Sequence, residues 1–269
     1  MNNMHTEHII GVIQARMNSS RLPKKIMADI LGKPMIWHIV NRLNHTKTLS
    51  KIVIATTNNE SDIPLCKFAE SENIAYYAGS ENDILDRLYQ TGKIHNATIL
   101  VKINGDCPLV DPALIDFAVN KYMTMQSKPD LIVNSIVPTY PEGLQFGVFN
   151  FKTLCNIWKT LIDHFWREFI YMYLVENKND AYSIHNITNK QNLSNMRWVV
   201  DYQEDLDFIR ELYKHLYEQN KIFGTIDILS LLKKNPEIMK INAKYAANIS
   251  KEEYEKLKNK HNNMNTKQY

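Results

Sequence analysis

The sequence predicts an α/β fold, a mostly parallel sheet flanked by helices. Three observations carry this. Strand-like and helix-like segments alternate through the first half of the chain. The strand-like runs are short and almost continuously apolar, as strands covered on both faces are. The first of them, His8-Ile9-Ile10-Gly11-Val12-Ile13, ends in the turn Gln14 to Lys25, which carries Arg16, Arg21, Lys24, Lys25, Ser19 and Ser20. Such a turn packs poorly but suits a polyphosphate at the carboxyl end of a strand, where open α/β sheets place their ligands.

The elements follow in order. Residues 8–14 form the first strand. Pro34 to Leu43 reads as a helix, with Pro34 in the first turn and Met35, Ile36, Ile39, Val40 and Leu43 as one apolar stripe. Lys51 to Thr57 is a buried strand, 61–73 a helix, and Ile74 to Ala78 a short strand. Residues 82–95 are helical, with Ile84, Leu85, Leu88 and Tyr89 on one face. Thr98 to Ile103 is a strand, 112–125 a helix, and Leu131 to Val133 a strand. The second half is less regular. The turn Tyr140-Pro141-Glu142-Gly143 leads into Leu144 to Phe149, expected as a small antiparallel extension. Two helices are expected in 150–177, and strands at Tyr182 to Ile187 and Met196 to Val200. Helices at about 203–219, 225–234 and 251–260 follow, and the polar last residues are expected to fray. No repeat or linker divides the chain. The expectation is one domain over 1–269, with a nucleotide-binding half (8–135), an acceptor-binding and dimerisation half (136–245), and a C-terminal helix and tail (246–269).

Bulk composition narrows the class. The 269 residues are 44% hydrophobic and 23% charged, ordinary for a soluble globular protein. A net charge of +3 is too small to argue for nucleic acid, and the clustering of cations matters more than their sum. Cys66, Cys107 and Cys155 fit no zinc spacing and no disulfide framework, so reduced thiols are expected. No secretory signal is visible, and the first apolar run falls far short of the about 20 residues a membrane span needs. A cytoplasmic protein with no membrane partner is expected.

Four groups of residues can carry chemistry. The first is the basic loop. Arginine offers phosphate a planar fork and lysine a compact charge. The loop is neither a GxxxxGK[ST] phosphate loop nor a GxGxxG fingerprint, since Gly11 is its only nearby glycine. The second is Asn104-Gly105-Asp106. Asp111 with Pro112 makes the better cap for the next helix, which leaves Asp106 free. A carboxylate at a strand end beside a phosphate loop is placed to hold Mg²⁺, which takes one or two carboxylates plus substrate phosphates. The third is Arg197-Trp198-Val199-Val200-Asp201. Asp201 can complete a metal site with Asp106 if the two segments are neighbours, or it can cap the next helix, for which Glu204 and Asp205 are also available. The fourth is Ser80 to Arg87. Ser80 is expected to cap a helix on which Asp83 and Arg87 stand at i, i+4, either as an exposed ion pair or as part of the site. No Ser-His-Asp order or GxSxG elbow appears, and no histidine is assigned a role.

In order along the chain, these segments resemble the SpsF-like (spore coat polysaccharide) cytidylyltransferases, relatives of the acylneuraminate and CMP-Kdo synthetases. The resemblance is carried by Gln14-Ala15-Arg16-Met17 with Ser19-Ser20-Arg21-Leu22-Pro23 and Lys25, Gly32-Lys33-Pro34, Ile54-Ala55-Thr56 and Gly79-Ser80 with Asp83 to Arg87. It continues through Gly105 to Pro112, Tyr140 to Gly143, Arg197 to Asp201 with Glu204-Asp205-Leu206, and Asn235-Pro236-Glu237, covering about residues 8–245. It implies a Rossmann-like nucleotidyltransferase (GT-A-like) fold. The implied reaction joins CMP from CTP to a small acceptor and releases pyrophosphate, with Mg²⁺ as cofactor and often a homodimer as the assembly. The catalytic residues it implies are Arg16, Lys25 and Asp106. The implied nucleotide-binding set is Gln14, Ala15, Arg16, Ser19, Arg21, Lys25, Thr56, Ser80, Asp83, Arg87, Asn104 and Gly105, with Thr56 and Ser80 near base and ribose. The implied metal ligands are Asp106 and Asp201. The chain departs from the family where acidic residues usually alternate after Gly143: Gln145 and Gly147 stand there. In the stretch Arg167-Glu168-Phe169-Ile170-Tyr171-Met172-Tyr173, Phe169 replaces a histidine and Met172 a proline. Both departures fall where the acceptor is expected. The competing readings are a nucleotide-sugar-dependent glycosyltransferase, disfavoured because a D-x-D motif ending at Asp106 would need a carboxylate where Asn104 stands, and an inactive nucleotide-binding homologue.

Overall fold

The computed structural model describes residues 7–176, 181–218, 221–245 and 249–265. The first six residues and the expected frayed tail, 266–269, lie outside them. The first strand, β1, spans Ile9–Gln14. A two-stranded hairpin follows, β2 (Asp29–Ile30) with β3 (Lys33–Pro34), and it delivers the chain into α1 (Met35–Leu43). Then come β4 (Lys51–Thr57), α2 (Ile63–Ser71), β5 (Ala75–Gly79), α3 (Ile84–Ile94), β6 (Ile99–Asn104), α4 (Pro112–Thr124) and β7 (Leu131–Val133). The later elements are β8 (Phe146–Asn150), α5 (Phe151–Thr160), α6 (His164–Glu168), α7 (Ile170–Glu176), β9 (Ile184–Asn186), α8 (Gln203–Leu216), α9 (Thr225–Lys234) and α10 (Ile249–Asn265).

Among the described residues, seven strands join in the order β5-β4-β1-β6-β8-β7-β9. All pairings are parallel except those of β8, which runs antiparallel to both β6 and β7. The expected α/β class, with a small antiparallel element in the second half, is what the chain forms. Apolar side chains of the central strands alternate between two cores. Ile13, Ile54, Val101 and Ile103 face α1, α4 and α8, whereas Val12, Val53, Leu100 and Phe149 face α3, α5 and α7.

The topology itself locates a site. From β1 the chain builds outward through β4 to β5, then returns across α3 to place β6 on the other side of β1. The connections therefore diverge between β1 and β6, and a crevice opens at the carboxyl ends of those two strands. The register pairs Gln14 with Asn104 there, one residue before each functional loop.

Some local expectations are corrected. Met196 to Val200 is extended but joins no sheet; it is held beside Glu142 by backbone bonds from Trp198 N to Glu142 O (2.6 Å) and from Glu142 N to Met196 O (2.9 Å). The region 150–176 forms three helices rather than two, because Asp163 caps α6 with its own carboxylate and the chain breaks again at Phe169. Tyr182 to Ile187 contributes only the three residues of β9.

Candidate active site

Asp62 organises the basic loop. This carboxylate is 1% exposed and accepts bonds from Met17 N (2.7 Å), the Thr56 hydroxyl (3.0 Å) and Thr57 N (3.1 Å). The loop start is thus tied to the end of β4. Met17 O then accepts from both Ser19 N (3.2 Å) and Lys24 N (2.9 Å), which rolls the segment into a compact turn. Lys24 takes the left-handed conformation, φ 63°, that lets the chain reverse into Lys25. The Ser19 hydroxyl accepts from Leu22 N at 3.4 Å. Arg16 is half-exposed and stands 3.6 Å from Glu81. Gly105 packs so tightly under the loop that an added Cβ would lie 2.9 Å from Gln14 O and 3.0 Å from the Ala15 side chain.

Lys25 is the centre of the crevice. Its Nζ donates to Asp106 Oδ2 at 3.2 Å, Asp201 Oδ1 at 2.8 Å and Val200 O at 2.6 Å. Val200 N in turn donates to Asp106 O at 2.9 Å. The three segments singled out by sequence therefore converge on one ammonium group. Burial works against the charge of Lys25, but the two carboxylates outweigh it and raise its pKa above that of a free lysine. Arg21 reaches the same Asp201 Oδ1 at 2.8 Å, and its guanidinium lies 5.5 Å from the Tyr202 ring centroid. Asp201 Oδ2 is held by Arg197 at 3.2 Å, and Arg197 also binds Asp205 and Glu142, each at 3.0 Å. Asp205, rather than Asp201, caps α8, accepting from Asp201 N and Tyr202 N.

Gly143 explains how the 197–201 segment comes so close. Its φ is +106°, and a Cβ there would sit 2.5 Å from the backbone of Trp198. Gly143→Ala should cost about 3 kcal/mol through strain and overlap together. Chemical denaturation would measure it, and a change below about 1 kcal/mol would contradict this account.

Asp201 makes a pH prediction. Burial alone would raise its pKa, but Lys25 and Arg21 hold it down at about 2. The folded-state value lies below that of a free aspartate. The carboxylate therefore stabilises the fold fully above about pH 4 and loses that effect as pH falls toward about 2. In Lys25→Met the acid transition, followed by near-ultraviolet circular dichroism, should move up by about one pH unit.

A second wall lies on α3. Asp83 caps this helix, accepting from Asp86 N at 2.8 Å, in the role expected of Ser80. The Asp83–Arg87 ion pair, one of the two readings of their spacing, is not formed. Asp83 instead pairs with Arg167 Nε at 2.7 Å, and Asp86 accepts from Trp158 Nε1 at 2.8 Å. Arg87 is 3% exposed and turns inward, donating to Ser80 O and, at 2.9 Å, to Glu81 O. Asn104 Oδ1 accepts from Lys102 Nζ at 2.7 Å. Thr56 is fully buried with its hydroxyl spent on Asp62, so it supports the loop rather than facing base or ribose as expected. Cys107 is buried and its thiol pKa is pushed well up by burial, which leaves it a poor nucleophile.

Several members of the site were not singled out from sequence. Asp62 stands before Ile63-Pro64, where sequence suggests only a helix start, and its bonds to Met17 and Thr56 depend on tertiary packing. Lys102 interrupts the apolar run Ile99-Leu100-Val101-Lys102-Ile103, a charge where a buried strand should have none. Trp158 carried no local signal, because its role depends on α5 packing against α3.

The fold and this charge cluster define a nucleotidyltransferase-type site. Residues 10–261 match the cytidylyltransferase family, and the chain belongs to that family. It is 31% identical over 237 residues to an uncharacterized protein of Methanocaldococcus jannaschii, covering 87% of this chain and 94% of that one. It is 25% identical over 236 residues to the spore coat polysaccharide biosynthesis protein SpsF of Bacillus subtilis, covering 85% and 95%. Among solved structures, a cytidylyltransferase from Leptospira borgpetersenii superposes with a TM-score of 0.82 at 26% identity, covering 87% of this chain and 97% of that one.

Proposed function

We propose that this enzyme transfers CMP from CTP to a sugar acid, or to a small carboxylate or phosphorylated acceptor, for surface polysaccharide synthesis. Family membership and the likeness to a spore coat polysaccharide protein support this reading. The observation that carries it is the convergence of Lys25, Asp106 and Asp201 at the divergence point of the sheet. In this proposal Arg16, Arg21 and Lys25 bind the triphosphate, while Gln14, Ala15, Ser19, Ser80, Asp83, Asn104 and Gly105 line the nucleotide side. An acceptor oxygen forms a bond to the α-phosphorus as the bond to pyrophosphate breaks. Lys25 neutralises charge on the reacting phosphates, and the loop backbone orients them.

The donor set fits Mg²⁺. Two carboxylates about one cation apart, with phosphates to complete the shell, are what this ion takes. Asp106 and Asp201 would hold it, and it would supply Lewis-acid neutralisation of the phosphate oxygens. Among the described residues no cluster of three or more His, Cys, Asp or Glu offers an alternative metal site. A cytoplasmic homodimer completes the proposal. Among the described residues no helix is long and apolar enough to cross a membrane, and light scattering would give the mass.

The test is pyrophosphate release from each of the four NTPs with Mg²⁺ against sugar acids and phosphorylated small acceptors. Release confined to CTP with one acid supports the proposal. Hydrolysis of a nucleotide sugar without pyrophosphate release from CTP would favour the glycosyltransferase reading.

A further inference from the structure

Among the described residues, two cations beside the crevice, Lys102 and Arg87, pair with no carboxylate. Lys102 on β6 shares a face of the sheet with Gln14 and Asn104, since Val12 pairs with Lys102 and Gln14 with Asn104 in the β1–β6 register. Arg87 reaches this face from α3, the helix packed on it. Among the described residues, Lys102 Nζ has one bonded acceptor, the neutral amide oxygen of Asn104, for three donor hydrogens. Arg87 bonds two backbone carbonyls, and its Nε is buried with no partner. The Gln14 Oε1 is likewise buried and unbonded. Opposite Lys102 on β8 stands Gly147, where a Cβ would come within 2.8 Å of the Phe149 ring, so β8 supplies no counter-charge there.

The electrostatics agree with this geometry. Burial lowers the pKa of both Lys102 and Arg87, and like charge adds to it, Arg87 acting on Lys102 and Arg16 on Arg87. The carboxylates that partly offset this are committed elsewhere: Asp106 to Lys25, Asp83 to Arg167, and Asp62 to the loop. Glu168 is exposed. A buried guanidinium and a partly buried ammonium bonded only to neutral oxygens, with orphaned polar atoms on the same face, are costly unless a ligand balances them. The triphosphate already has Arg16, Arg21 and Lys25 on the loop. Asp106 lies near enough to act on Lys102, so an anion here would sit next to the reacting centre.

We propose that Lys102 forms an anion subsite for the acid group of the acceptor, with Arg87 adding positive charge on the same face of the sheet, and that Lys102 sets the preference for acidic over neutral acceptors. This rests on the cytidylyltransferase reading above. Lys102 retains some exposed surface, which gives an acceptor access to it.

The experiment uses wild type, Lys102→Met and Lys102→Arg. CTP binding is measured by calorimetry with Mg²⁺, and pyrophosphate release is measured with 3-deoxy-manno-octulosonate, N-acetylneuraminate, sugar phosphates and the matching neutral sugars. The expected result is turnover with an acid acceptor only. Lys102→Met should raise KM for that acid by about 10- to 100-fold, the worth of one charged hydrogen bond. CTP affinity should stay within a few-fold, and Lys102→Arg should recover most of the loss. An acid KM unchanged in Lys102→Met, turnover of neutral sugars as good as that of acids, or no turnover with any acid overturns the subsite. A carboxylate and a phosphate source are told apart by which acceptor class turns over. Wild-type protein that fails to bind CTP would overturn the cytidylyltransferase reading instead.

Discussion

Asp106→Asn should reduce turnover by about 10³-fold, or about 4 kcal/mol of transition-state stabilisation, while leaving the fold standing. The carboxamide keeps the shape and removes the charge. Asp106 is one of two carboxylates on Lys25, and its side chain is 28% exposed, so water can replace what the fold loses. Stability should therefore change by less than about 1 kcal/mol. Activity has no such substitute, because the charge that fixes Lys25, and would hold Mg²⁺, is gone. Asp201→Asn makes the contrasting control: Asp201 is 5% exposed and faces Lys25, Arg21 and Arg197 at once, so that variant should lose activity and stability together. Measuring kcat at saturating Mg²⁺ beside the thermal midpoint separates the two. A kcat for Asp106→Asn within tenfold of wild type would remove Asp106 from the proposed metal and catalytic roles.

The parts of this site that were legible in sequence are those set by local rules. Apolar runs mark β1 and β4 because buried parallel strands need no alternation, and the loops after β1 and β6 stand out because their residues are poor for packing. Asp111 with Pro112 was read as a helix cap and is one, accepting from Ala113 N at 3.0 Å. What was not legible depends on which elements meet. Asp83 and Arg87 have the spacing of an ion pair, yet Arg167, 84 residues away, takes Asp83, while Arg87 is drawn to two carbonyls in the turn before its own helix. The family resemblance places Thr56 near base and ribose, but the parity of β4 points it into the core toward Asp62. Met196 to Val200 had the composition of a strand. It stays out of the sheet because Gly143 brings the 140–143 turn against it and satisfies its backbone there.

Arg197→Met should destabilise the protein by about 3–5 kcal/mol, near a 10 °C fall in melting temperature for a chain of this size. The reason is the company Arg197 keeps. Its side chain is 3% exposed and bonds Glu142, Asp201 and Asp205, the last of them fully buried. Methionine fits the aliphatic volume but leaves three carboxylates clustered in the interior with one fewer cation among them. Asp205 still caps α8 and still takes Asn242 Nδ2 at 3.0 Å, so it cannot move away. Lysine should rescue little of the loss, since one ammonium cannot reproduce the fork that spans all three groups. Against the cost of burial, ionised Asp205, Glu142 and Asp201 raise the pKa of Arg197, and their attraction fades as acid neutralises them, whereas the variant has no such attraction to lose. The stability gap between wild type and variant should therefore narrow as pH falls from 7 toward 3, whereas loss of packing alone would leave it unchanged. Thermal melts across that range test both claims. A midpoint within 2 °C of wild type at pH 7, or a gap that widens in acid, would show that the cluster is solvated rather than buried.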